Sequence, residues 1–174
     1  MTIARRHLRT LPIVTLCLLV LGSAGALAQH KFLMSRSGRP EIKVMLSGVV
    51  EREEGRIPLE EAKTVKPGEV LGWTITSANE GDGPAQEYRT EGKIPPGSKF
   101  VAGSATADGS ATVTYSIDNG KSFSAEPTIE VKQPDGSLKR VPAPLSMYTK
   151  IRYEWSDPLT QGGKLIASYK VRLN

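Results

Sequence analysis

Residues 94–123, IPPGSKFVAGSATADGSATVTYSIDNGKSF, decide the fold. Glycine and proline clusters mark turns in this stretch, and between them apolar residues recur at every second position, as in Val113, Tyr115 and Ile117. This alternation is typical of β-strands, whereas an amphipathic helix repeats its apolar residues every three or four positions. The stretch therefore predicts short strands joined by turns.

The same pattern continues on both sides. Alternating or apolar runs bounded by turn residues occupy residues 42–50, 70–78, 88–94, 128–132, 148–155 and 164–173. Strands at a spacing of about ten residues, with glycine and proline between them, favour an antiparallel sandwich over an α/β fold. We expect an all-β sandwich of about seven to nine strands over residues 41–174.

The first 28 residues are typical of a secretory signal peptide. Three arginines within the first nine residues precede an apolar run at 11–21, and Ala26-Leu27-Ala28 has the small residues of a cleavage site. The apolar run is too short for a membrane-spanning helix, which needs about 20 residues. We expect cleavage between Ala28 and Gln29, export to the periplasm, the cell surface or the extracellular medium, and no transmembrane segment after cleavage.

Removal of the signal peptide changes the composition argument. The net charge of +5 falls to +2, which does not indicate nucleic-acid binding. The single cysteine, Cys17, leaves with the signal peptide, so the exported chain has no disulfide. Residues 29–40 are polar and lack a period, and we expect them to be a flexible lead-in.

Four blocks of the chain, taken in order, resemble the conserved repeat domain of bacterial surface and exported proteins, known as domain of unknown function eleven. The blocks are VKPGE with WTIT and NEG at 65–81, IPPGSKFVAGSA at 94–105, VTYSIDNGKSF at 113–123, and IRYEW to VRL at 151–173. The resemblance covers residues 41–174 and implies an immunoglobulin-like β-sandwich in an envelope or secreted protein, usually without known catalysis. Members are often arrays, whereas this chain holds one copy.

The segment SIDNGKSF at 116–123 also resembles the Asp-box of sialidases, which is a structural hairpin. In such a hairpin an aspartate accepts bonds from turn amides, and glycine takes a positive φ. We therefore interpret Asp118, Asn119 and Gly120 as a structural turn.

The sequence offers no catalytic residues and no cofactor site. His7 leaves with the signal peptide and His30 lies at the mature terminus, so zinc or a histidine base has no support. Asp82, Asp108 and Asp118 are candidate calcium ligands, because calcium prefers carboxylates from loops. They form no D-x-D-x-D run, and aspartates that shape turns are the competing interpretation.

Two functions remain open. The first is a non-enzymatic module of the cell envelope, structural or adhesive, whose partner is an envelope protein or a surface polymer. Its expected mode of contact is β-augmentation at an exposed edge strand. The second is a glycan or small-ligand binding module that uses loop carboxylates and an exposed aromatic residue.

Overall fold

The computed structural model describes residues 38–174. The predicted signal peptide, its cleavage site at Ala28 and Gln29, and residues 29–37 of the predicted lead-in lie outside the described residues. Residues 38–174 form eleven strands and a short 3-10 helix, Leu145–Met147. The strands are β1 (Ile42–Arg52), β2 (Gly55–Pro58), β3 (Val70–Asn79), β4 (Arg89–Lys93), β5 (Ser98–Phe100), β6 (Thr106–Ala107), β7 (Ala111–Ser116), β8 (Thr128–Lys132), β9 (Leu138–Pro142), β10 (Lys150–Trp155) and β11 (Lys164–Leu173).

The strands form two facing sheets and a separate hairpin. The larger sheet has the order β2-β1-β3-β11-β5, with β6 also paired to β11. The smaller sheet has the order β4-β10-β7, and β8 pairs only with β9. Every strand pairing within residues 38–174 is antiparallel. The chain is thus an all-β, antiparallel sandwich, as predicted.

The core lies between the two sheets because alternate residues of each strand point inward. In β3, Leu71 and Ile75 are buried, and in β10 Ile151, Tyr153 and Trp155 are buried. Strand β11 adds three more buried side chains, and all of these belong to one apolar cluster: Ala167, Tyr169 and Val171. The period-2 pattern read from the sequence therefore identifies the inward-facing residues of the central strands.

Two local features differ from the prediction. The described part of the chain has more strands than the expected seven to nine, because short pairings such as β2 and β6 form separate elements. A hairpin turn at residues 118–120 predicts that Phe123 lies on a return strand, but in the structure Phe123 lies outside the strands. The chain there makes one isolated bridge between Tyr115 and Ser124, and the Phe123 ring lies 3.5 Å from the guanidinium carbon of Arg152.

Gly38 and Arg39, the first described residues, contact the loop that follows β3. The backbone N–H of Arg39 donates to a carboxylate oxygen of Asp82 over 2.6 Å. Gly38 packs so closely against Asp82 and Gly83 that a side chain would collide with their backbone. This loop therefore fixes where the chain enters β1.

Candidate binding groove

The inner face of β1 is buried at one end and open at the other. Val44, Leu46, Gly48 and Val50 share this face, because they pair with the inward residues of β3. Val50 is fully buried, whereas Leu46 is 58% exposed and Val44 is 54% exposed. Half of an inward-facing apolar row is thus left in solvent.

The cover over the closed end comes from the segment after β2. Leu59 donates its backbone N–H to the carbonyl of Gly48 over 2.9 Å, and the side chains of Leu59 and Ala62 pack against the core. The side chain of Leu59 lies directly against Gly48 of β1. In residues 38–174 nothing equivalent covers Val44 and Leu46.

Strand β4 lies beside this open half and has a free edge. Its one strand neighbour within the described residues is β10. Ile94 turns its backbone toward that neighbour, since its N–H donates to the carbonyl of Thr149 over 2.9 Å. Backbone direction alternates in antiparallel pairing, so the N–H and C=O groups of Arg89, Glu91 and Lys93 face away from β10. This edge can accept one more strand.

Between the free edge and β1 lies a cavity of about 310 Å³. We call it the β1–β4 groove, and its lining residues are Leu46, Trp73, Glu91, Gly92, Lys93, Pro95 and Tyr169. The ring of Tyr169 packs against Gly92, where a side chain would collide with it. The indole N–H of Trp73 is buried without a hydrogen-bond acceptor among the described residues. The groove therefore has an apolar floor formed by aromatic and aliphatic side chains.

The outer rim of the groove carries charge. Burial opposes ionisation of Glu91, but hydrogen bonds from Arg152 (2.7 Å) and Lys150 (3.0 Å) outweigh it and hold the pKa of Glu91 below its ordinary value. Glu91 is thus already neutralised by two cations. The neighbouring side chains Arg89 and Lys93 are exposed, and the ion pairs found among residues 38–174 do not include them. The rim of the free edge is therefore electropositive.

The three candidate calcium ligands lie in separate loops. Asp82 accepts the N–H of Arg39, and Asp108 accepts the N–H of Ile166 over 3.0 Å. Asp118 accepts bonds within its own turn. No group of three or more histidine, cysteine or acidic side chains within residues 38–174 is arranged to hold a metal ion. The structure does not bring these aspartates together.

The turn at Asp118, Asn119 and Gly120 is held by its own side chains. Asn119 and Gly120 have φ values of 60° and 91°. Both the backbone N–H and the hydroxyl of Ser122 donate to Asp118, over 3.0 and 2.6 Å, and the hydroxyl of Ser116 donates to it over 2.7 Å. These hydrogen bonds lower the pKa of Asp118 well below its ordinary value. The carboxylate of Asp118 therefore stabilises this turn.

Four aromatic side chains are the natural candidates for the exposed aromatic residue of a ligand-binding module, and they pack into the sandwich: Trp73, Tyr115, Tyr153 and Trp155. Tyr153 and Trp155 are buried, and Trp73 and Tyr115 are partly buried against the core. Tyr115 also packs against Tyr148, with 5.1 Å between ring centroids. Of the four, Trp73 is the one that lines the β1–β4 groove. The sequence suggested an edge strand as the expected contact mode, but it did not single out Leu46, Gly92 or Tyr169.

Comparisons with known proteins found no matching family model, curated protein or solved structure. The resemblance to the conserved repeat domain stays a prediction. Across residues 38–174, no helix combines the length and apolar character needed to span a bilayer.

Proposed function

We propose that this protein is a non-enzymatic, exported module of the cell envelope that acts by contact, in a structural or adhesive role. One observation carries the proposal: two apolar side chains on the inner face of β1, Val44 and Leu46, are open to solvent, and Leu46 lines the groove at the free edge of β4. Natural proteins usually cover or shorten such edges, and exposed apolar patches commonly mark sites of interaction.

Two features of the sequence support export and an envelope location. The pattern at residues 1–28 predicts a cleaved signal peptide. The resemblance of residues 41–174 to the conserved repeat domain implies an envelope or secreted protein. The proposed partner is an envelope protein or a surface polymer.

The glycan or small-ligand alternative has less support in the geometry. It required loop carboxylates that converge near an exposed aromatic residue. Asp82, Asp108 and Asp118 each bond within or beside their own loop, and Tyr153 and Trp155 are buried. The β1–β4 groove offers an apolar floor and free backbone groups instead.

Site-specific photo-crosslinking in the native host tests the proposal. The photoreactive residue replaces Leu46 in one variant and Met45 in the control, since Met45 is its neighbour on the opposite face of β1 and is 63% exposed. We expect an envelope or released protein whose chain begins at Gln29 by intact mass, with crosslinked products from position 46 and few from position 45. A protein retained uncleaved in the cytoplasm, or equal crosslinking from both positions, contradicts the proposal.

A further inference from the structure

We propose that the β1–β4 groove binds a single extended strand of a partner protein. Of five successive residues in this strand, the second and fourth are large and apolar and point into the groove, and the first and fifth are acidic and point outward. This inference rests on the proposed function, because it specifies the partner that the same groove accepts. Each part of the pattern follows from a separate feature of the groove.

The free edge requires a peptide backbone. Arg89 and Glu91 present outward N–H and C=O groups at the spacing of a strand, while the carbonyl of Lys93 accepts the hydroxyl of Tyr169 over 2.7 Å. An added strand forms the ladder that a carbohydrate or a flat apolar surface cannot form. The ligand class is therefore an extended peptide.

The floor of the groove determines which side chains of the added strand can point inward. Residues of the added strand opposite Thr90 and Gly92 point toward β1, since the side chains of paired residues share a face. There they meet Leu46 and Trp73, next to a cavity of about 310 Å³. The ring of Tyr169 packs against Gly92, and together with Leu46 it gives the residue opposite Gly92 an apolar surface to contact.

The charged rim of the groove determines which outward side chains are favourable on the added strand. Residues opposite Arg89 and Lys93 lie beside exposed cations, and opposite charges across a strand pair are favourable. The residue opposite Glu91 gains little from a charge, because Lys150 and Arg152 already pair with Glu91. The resulting pattern is acidic, apolar, neutral, apolar, acidic.

A second copy of the chain does not fit the same edge. Pairing β4 with an identical β4 relates the two copies by a two-fold axis perpendicular to the sheet. Leu46 of β1 lines the space beside the free edge. In such a pair, β1 of one copy would therefore collide with β1 of the other copy. The groove accommodates a strand that is not backed by a second sheet.

The probe is a fluorescent, capped peptide, Ser-Glu-Leu-Thr-Val-Glu-Ser, and binding to the full mature chain is followed by anisotropy. One control peptide has lysine for both glutamates, and another has proline for the threonine, which removes a backbone N–H. We expect the acidic peptide to bind about five-fold or more tightly than the lysine peptide, with the difference shrinking at high salt. The proline peptide loses binding.

Protein variants locate the site. Leu46→Ser should abolish binding, whereas Met45→Ser, on the opposite face, should leave it unchanged. Arg89→Glu combined with Lys93→Glu should reverse the preference between the acidic and lysine peptides. The matched control combines Lys132→Glu with Lys139→Glu on the separate β8–β9 hairpin. It should leave the preference for the acidic peptide unchanged. Melting curves confirm that each variant is folded.

Several outcomes overturn the inference. Equal affinity for the acidic and lysine peptides, no binding of any peptide, or binding that survives Leu46→Ser each contradicts it. Binding that appears only after Phe32→Ser and Leu33→Ser would assign the groove to the chain's own leading segment. A dimer in sedimentation that Leu46→Ser dissociates would assign it to a second copy. If position 46 crosslinks in cells but the isolated protein shows no preference among the peptides, the proposed contact function is retained. The proposal that the partner is an acidic, extended strand is then refuted.

Discussion

The hydroxyl of Tyr169 in β11 donates a hydrogen bond to the backbone carbonyl of Lys93 in β4 over 2.7 Å, and so joins the two sheets at the floor of the groove. The ring packs against Gly92, where a side chain would collide with it. Glycine at position 92 therefore allows the smaller sheet to lie close to the larger one. The position of the free edge depends on this contact.

Gly92→Ala should destabilise the protein by about 1–3 kcal/mol, because the added methyl group must displace the ring of Tyr169. Urea unfolding measures the change. In a Tyr169→Leu background the ring is absent, so the same substitution should cost less, as a double-mutant cycle shows. Equal costs in both backgrounds would contradict the proposed contact.

Leu46→Ser should change the free energy of unfolding by less than about 0.5 kcal/mol, because Leu46 is 58% exposed. Val50→Ala, on the same face of the same strand but fully buried, should cost about 2–4 kcal/mol. Thermal or urea unfolding of the two variants compares them directly. A large loss for Leu46→Ser would mean that the groove is already filled in the isolated protein.

Gly120→Val should destabilise by roughly 1–3 kcal/mol, since Gly120 has a φ of 91° that a β-branched residue tolerates poorly. Asn119→Gly is the matched control, because it retains access to the positive φ of 60° at the neighbouring position. The control should melt at the wild-type temperature or above. An unchanged melting temperature for Gly120→Val would refute the strain argument.

Alkaline pH should unfold the protein. Burial raises the pKa of Tyr169 to about 12 from an ordinary value of 10.0, and it also raises the pKa of Tyr153. Both folded-state values lie above the unfolded ones, so the stabilisation is present below pH 10.0 and is lost as pH rises toward about 12.

Tyrosinate absorbance and circular dichroism, followed together in an alkaline titration, check this expectation. The buried tyrosines should ionise only as the fold is lost. Tyr169→Phe should show a shallower loss of stability across the same range. Ionisation of all tyrosines near pH 10.0, with the fold intact, would be inconsistent with burial.

The local pattern of the sequence was sufficient to predict most strands. Strands β8 and β11 begin and end at the predicted residues, because alternation and turn residues are short-range signals. Strand β9, LKRVP, was not predicted. It is short and charged, and its strand conformation depends on pairing with β8.

The groove was not predictable in the same way. The alternation at Val44 and Leu46 correctly gives the inner face of β1, but it carries no information on whether the facing sheet reaches that far. Their exposure follows from β4 being the edge of the smaller sheet, which is a long-range property of the topology. The spacing of Asp82, Asp108 and Asp118 likewise placed them in loops, without showing that these loops lie apart.

Strand β11, the last in the chain, lies in the interior of the larger sheet. It joins β3 on one side, pairing Val171 with Leu71, and β5 and β6 on the other. The pairings with β3 join residues about 100 positions apart, and contacts of such large sequence separation form slowly. The apolar residues of β3 therefore stay without their partners on one side until β11 is in place.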